Sequence, residues 1–274
     1  MLGTFVEISA RMETSDGESE RSCQVAVDRA FARMDRVQQL MSAHEPTSEL
    51  SRLNRDAAVR PVAVSEETHQ VLEHGLELAR ESNGAFDFTV AGTLARWGYL
   101  PAELRRTGNA NWRDVRLLRG RRVRFRTPLA IDLGGIAKGY AVDQAIDALR
   151  SAGVQSAHVN AGGDLRTFGE VGLKVGLRHP VTGHPLAEPL YLQEEALATS
   201  SPFFTQKGWR GQTVSHLVDP FSRRPVAGAI SISIRAAHAW IADALTKVLM
   251  NLEEPKAAER VLDRYGASAL VLTS

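Results

Sequence analysis

Apolar residues recur at spacings of three and four along residues 21–41, at Val27, Ala30, Phe31, Met34, Val37, Leu40 and Met41, which predicts an amphipathic helix. Alternation over residues 4–9 predicts a strand before it, and the stretch 14–20 between them is too polar for a core. Residues 42–54, with Pro46 and several hydroxyls, read as a loop leading to a short helix from Ser48. Ser65 reads as the N-cap of a further helix. Glu66 and Glu67 in its first turn match the dipole, and Val71, Leu72, Leu76, Leu78 and Ala79 form its apolar face. Asn83-Gly84 stops it. Residues 115–118 and 123–126 flank Arg119-Gly120-Arg121 as a hairpin. Downstream, the pattern predicts strands at 157–160, 174–178, 196–199, 230–234 and 269–273, and helices at 236–252 and 255–265. Helices and strands mix without a βαβ repeat, so the fold class is α+β, and residues 1–274 fit one domain.

The stretch IDLGGIAKGYAVDQAIDAL, residues 131–149, organises the rest. A short apolar segment at 129–133 reads as a strand, Gly134-Gly135 as a turn, and Ile136, Tyr140, Ala141, Ala145, Ile146 and Leu149 as one face of a helix. Such a junction points free N–H groups at one spot, where a phosphate could be held; a tight turn serving packing alone is the other reading. GGIAKG matches neither a dinucleotide fingerprint nor a P-loop. A second Gly-Gly stretch, AGGDLRTFG at 161–169, faintly echoes the first.

Three carboxylates stand out. Asp87 interrupts the apolar run GAFDFTVAGTLARWGY, so it is either a cap or a site residue, and if buried it must be paired or hydrogen-bonded. Asp219 follows His216 by three, an arrangement that serves either acid/base chemistry or a proline turn. Asp243 lies inside an alanine- and leucine-rich helix, where it either accepts backbone hydrogen bonds or holds a cation.

Composition narrows the partners. The 33 Lys plus Arg balance 32 Asp plus Glu, and the arginines at 122, 124 and 126 alternate as a solvated strand face without aromatic platforms, so nucleic acid is not expected as a partner. Cys23 stands alone, which excludes an intrachain disulfide and a multi-cysteine metal site. No apolar run approaches a membrane span, so no integral membrane segment is expected. The N-terminus reads as a strand rather than an export signal, which implies a cytoplasmic protein as written, or a periplasmic one whose signal has been removed.

Taken as a set, GTFVEI, SAHEPTSELSRLN, GAFDFTVAGTLARWGY, IDLGGIAKGYAVD, VNAGGDLRTFG, ATSS, SHLVDPFSRRPV and IADAL, in this order and spacing, resemble the FAD:protein FMN transferases (ApbE-like flavin transferases) over essentially the whole chain. The resemblance implies an α+β fold with a flavin cleft. It implies Mg²⁺-assisted transfer of the FMN half of FAD to a Ser or Thr hydroxyl of an acceptor protein, with release of AMP. It places Ala85, Phe86 and Asp87 along the isoalloxazine and ribityl region, Asp132 and Lys138 against the cofactor, and Val218 as a backbone contact. Leu2 and His44 stand where other members carry a flavin-contacting Met and Tyr. His216 becomes the base for the acceptor hydroxyl, with an expected pKa near neutrality. Gly135 and Asp243 become metal ligands, but Lys247 stands at the usual threonine ligand position. Either Thr246 or water completes the Mg²⁺ site, or the Lys247 ammonium replaces the metal. Two alternatives stay open: a FAD pyrophosphatase giving FMN and AMP, and a FAD-binding protein without turnover.

Overall fold

The computed structural model describes residues 1–13, 19–105, 108, 110–186, 188–226, 228–252 and 254–273. In chain order the elements are β1 (Val6–Arg11), α1 (Ser19–Met41), α2 (Glu49–Asp56), β2 (Val62–Ala63), α3 (Glu66–Glu81), α4 (Ala91–Arg96), β3 (Val115–Leu118), β4 (Arg122–Phe125), α5 (Ala137–Ser151) and β5 (Ser156–Ala161). They continue with β6 (Asp164–Phe168), β7 (Leu173–Val175), β8 (Leu190–Leu192), β9 (Ala196–Ser200), β10 (Lys207–Trp209), β11 (Gln212–Val214), β12 (Ile230–Ala236), α6 (Ala239–Asn251), α7 (Pro255–Arg264) and β13 (Ser268–Thr273). The class is α+β, as the irregular alternation predicts. Of the polar stretch 14–20, residues 14–18 lie outside the described residues, and Ser19 and Glu20 already belong to α1.

Six strands form one antiparallel sheet in the order β1-β5-β6-β9-β12-β13, with Val6 opposite Ala161 at one edge and Ile230 opposite Thr273 at the other. Helices α5 and α6 pack together on it and α1 lies against α5, so the core runs through Met34, Leu149, Ile146, Val159, Ile234 and Leu245. A three-stranded sheet, β2-β4-β3, and two separate hairpins, β7-β8 and β10-β11, complete the strands. In β4, Val123 and Phe125 are buried and Arg122 is exposed, the alternation expected of a sheet with one solvated face.

The close approach of α5 to α6 depends on Gly139. A Cβ there would stand 2.2 Å from the carbonyl oxygen of Ala239, a backbone atom that has nowhere to go. At the same crossing, the buried Asp143 carboxylate accepts hydrogen bonds from the N–H groups of Ala239 (3.0 Å) and Trp240 (2.9 Å), capping α6 from the neighbouring helix, and pairs with Arg166 at 2.7 Å. That cap explains why α6 starts at Ala239 rather than at 236: β12 keeps residues through Ala236, and the first N–H groups of the helix need Asp143.

Two expectations are corrected. Residues 129–133 form no strand. The segment is buried apart from the half-buried Asp132, and the Ile131 backbone is satisfied by a side chain: Asn54 Nδ2 donates to the carbonyl of Ile131 at 2.9 Å, and the Ile131 N–H donates to Asn54 Oδ1 at 2.8 Å. The next N–H, of Asp132, donates to the carbonyl of Phe88 at 2.8 Å. The echo between the two Gly-Gly stretches is also not structural. Gly162 and Gly163 take φ of +67° and +102° in the β5–β6 turn, whereas Gly134 and Gly135 have no positive φ and lead into a helix.

Candidate functional site

Three buried devices bring distant stretches together. Ser82 ends α3 and its hydroxyl accepts from the N–H of Phe86 at 3.1 Å, so the chain turns inward after Asn83 and Gly84. Asp87 then caps the 3-10 turn Phe88–Val90, accepting from the N–H and the hydroxyl of Thr89 at 2.8 and 2.7 Å. Its other oxygen faces Arg223 at 3.3 Å. Burial pushes the Asp87 carboxyl up, with Arg223 opposing. Asp87 is thus both a cap and the anchor of the 218–225 loop, whose ends meet at a Val218–Pro225 bridge.

The second device is the Asn54 clamp, which sets Asp132 at the entrance to α5. Asp132 curls over Gly134, accepting from its N–H; burial pushes its carboxyl up, while that bond, His44 and Lys138 pull it down. The N–H groups of Ile136 and Ala137 go to the carbonyl of Leu133, and that of Gly139 goes to Asp243 at 3.1 Å. The free N–H cradle pictured at this helix start is therefore largely consumed within the protein. What faces the cleft as positive charge is side chains.

Those side chains are Lys138 and Lys247, the third device. Lys138 bonds Asp164 and lies 3.4 Å from Asp243 Oδ2. Lys247, one helical turn beyond Asp243, bonds Asp243 Oδ1 and reaches the Asp243 carbonyl at 3.0 Å. Asp243 is fully buried. Burial pushes its carboxyl up, but the two ammonium groups outweigh it and hold Asp243 ionised. Lys138 in turn is raised, because Asp164 and Asp243 outweigh its own desolvation. Burial and the charge of Asp243 push Asp164 up despite its contact with Lys138; the direct contact makes this pair an ion pair. Two buried carboxylates and two part-exposed ammoniums thus form one row, Asp164–Lys138–Asp243–Lys247.

These devices surround a cleft of about 440 Å³. Of the residues singled out from the sequence, Ala85, Phe86, Asp87, Asp132, Gly135, Lys138, His216 and Val218 all line it. Asp243 forms the floor beneath the two lysines. Leu2, with φ of +54° and its N–H on Gln38, is not among the lining residues, and neither is the exposed His44, although His44 is near enough to lower Asp132. Sequence reasoning gave no site role to Asp164, Thr199, Ser200 and Ser201, although the motifs VNAGGDLRTFG and ATSS contain them, and passed over Asn251; all five line the cleft. Asp164 carried a usable signal, a carboxylate directly after Gly-Gly.

His216 follows β11 and is open to solvent at the cleft wall. Its Nδ1 meets the hydroxyl of Thr205, which also reaches the Pro202 carbonyl at 3.5 Å, while the Tyr99 hydroxyl holds the Thr205 carbonyl at 2.6 Å. In the tautomer that carries its proton on Nδ1, that N–H donates to Thr205 and Nε2 keeps its lone pair. The expected near-neutral pKa is corrected. The surrounding cleft wall, then the ammoniums of Lys247 and Lys138, push the imidazole down to about 4, Asp243 opposing them, although the residue is solvent-accessible.

The trio Gly135, Asp243 and Thr246 does not suit a divalent cation as arranged. The Thr246 hydroxyl is buried between Ser200 Oγ (2.7 Å) and the Asp243 carbonyl (2.7 Å), and both Asp243 oxygens already have cationic or N–H partners. Among the described residues, no three His, Cys, Asp or Glu side chains converge as metal ligands.

The chain is similar to known proteins over most of its length. A protein named FAD:protein FMN transferase from Vibrio cholerae is 28% identical over 272 residues, covering 93% of this chain and 80% of its own. One of the same name from Rhodobacter capsulatus is 31% identical over 196 residues, 66% of this chain and 37% of its own. The crystal structure of the ApbE protein from Thermotoga maritima superposes with a TM-score of 0.85 at 27% identity, covering 98% of this chain and 91% of that one. The flavin transferase ApbE from Vibrio cholerae gives 0.80 at 27%, covering 98% and 90%. With the model of the ApbE family matching residues 2–271, from ahead of β1 into β13, the chain belongs to the ApbE family.

Proposed function

We propose that this chain, acting as one domain, is an FAD:protein FMN transferase that joins the FMN phosphate of FAD to a Ser or Thr hydroxyl of an acceptor protein. The observation that carries the reading is convergence: Phe86 and Asp87, Asp132 and Lys138, and His216 and Val218 come from three separate stretches and line a single cleft with two ammoniums at its floor. The shared name of the curated relatives supports it. Phe86 and Val218 give an apolar wall suited to a flavin ring, and Lys138 and Lys247 offset the charge of a diphosphate.

The chemistry balances with the groups present. The acceptor oxygen attacks the FMN phosphorus and forms a P–O bond as the bond from that phosphorus to the bridging oxygen breaks. AMP departs with the bridging oxygen, and the acceptor proton passes to Nε2 of His216, which is neutral at pH 7. The test is co-expression with candidate acceptor proteins followed by intact mass measurement and chromatography of nucleotides. An adduct of one FMN with AMP released is the expected outcome. FMN and AMP without an adduct point to a pyrophosphatase, and intact FAD on long incubation to a binding protein.

A further inference from the structure

Lys247 occupies the ground that a cation on Asp243 would need. It lies four residues after Asp243 on α6, its ammonium contacts Asp243 Oδ1 and the Asp243 carbonyl, and its stem runs past Gly135, with Cε 3.7 Å from where a Cβ on Gly135 would be. A divalent ion entering there has to displace an ammonium from a fully buried carboxylate and then sit between two lysines. Mg²⁺ asks for hard oxygen ligands in near-octahedral array, and the Thr246 hydroxyl is turned away into its own hydrogen bonds.

The same row of charges has donors to spare. An ammonium carries three N–H groups. Lys247 spends two, on Asp243 Oδ1 and the Asp243 carbonyl; Lys138 spends two, on Asp164 and Asp243. One N–H from each remains, and both residues line the cleft while their carboxylate partners are 0% and 5% exposed. A ligand in the cleft therefore meets two ammoniums whose countercharges lie beneath them.

We propose that the Lys247 ammonium is the resident cation of this site, pairing with the diphosphate beside Lys138, so that FAD is bound without a divalent metal. The inference rests on the flavin reading of the cleft. Removing Lys247 leaves two carboxylates against one ammonium, a floor that repels a diphosphate until an added cation neutralises it.

Flavin fluorescence titration of the purified protein with FAD, in EDTA and in excess Mg²⁺, tests this, with Mn²⁺ paramagnetic resonance on the FAD complex as a second readout. The wild type is expected to bind FAD equally in both conditions and to show no tightly held Mn²⁺. Lys247→Thr is expected to bind FAD about ten- to a hundredfold more weakly in EDTA, the loss of one charge-assisted contact, and to recover with Mg²⁺. Lys247→Met is expected to weaken binding without that recovery being complete, and circular dichroism checks that both variants fold. Wild-type binding that disappears in EDTA and returns with Mg²⁺ overturns the inference and leaves the flavin reading standing. No binding in either condition overturns both.

Discussion

Replacing Asn54 by alanine should cost far more than its place in a short surface-starting helix suggests. Among the described residues its amide pairs both the N–H and the carbonyl of Ile131, at 2.8 and 2.9 Å, and Ile131 is fully buried. Truncation orphans two backbone groups where water has no access, at about 1–3 kcal/mol each beyond the lost bonds, so we expect about 3–5 kcal/mol in urea denaturation. For a chain of this size that is a fall in Tm of roughly 6–20 °C. Asn54→Asp separates this cause from simple loss of packing. Its ionised form keeps an acceptor for the Ile131 N–H but turns an oxygen on the Ile131 carbonyl; protonated, it offers one donor and one acceptor, as asparagine does. The carboxyl in the folded protein is then raised above its unfolded value, so the aspartate variant is most stable at acid pH and loses stability as pH rises through that raised pKa. A loss below about 1 kcal/mol for alanine, or an aspartate variant whose deficit does not grow between pH 5 and pH 8, refutes the clamp.

Two further outcomes follow from the geometry. With His216 held down to about 4, kcat/KM for transfer should stay level from pH 8 to pH 5 and fall only as the base protonates below that. The limb of kcat should lie at higher pH, because a bound diphosphate offsets the lysines; a kcat/KM limb at the ordinary imidazole value near pH 6.5 contradicts the assignment. Gly139→Ala should abolish soluble expression or cost more than about 3 kcal/mol, since its Cβ meets the Ala239 backbone at 2.2 Å; a variant within about 0.5 kcal/mol of wild type in denaturant shows that α5 and α6 can separate freely.

The long elements were legible in the sequence because their signals are local. The stripe along α1, the Ser65 cap with Glu66 and Glu67, and the Asn83-Gly84 stop depend on neighbours within a turn or two. So was part of the cleft, through motifs whose spacing the resemblance supplied, although Leu2 and His44 do not line it and Asp164 and Asn251 do. The segment 129–133 was misread for the opposite reason: an apolar run looks the same whether a strand or a distant asparagine side chain satisfies its backbone.

Sequence alone determined that the chain is α+β, that Asp87, Asp132, Lys138, His216 and Asp243 are its unusual polar positions, and that Lys247 stands where a hydroxyl is customary. Only the fold decided what they do to one another. Whether Lys138 meets Asp164 is set by a contact 26 positions apart and how far His216 is pushed from neutrality by burial and by charges including Lys247, 31 positions away, whereas the Lys247–Asp243 pair closes within one turn of α6. Charge–charge energies depend on separation and burial, and neither is written in the order of residues.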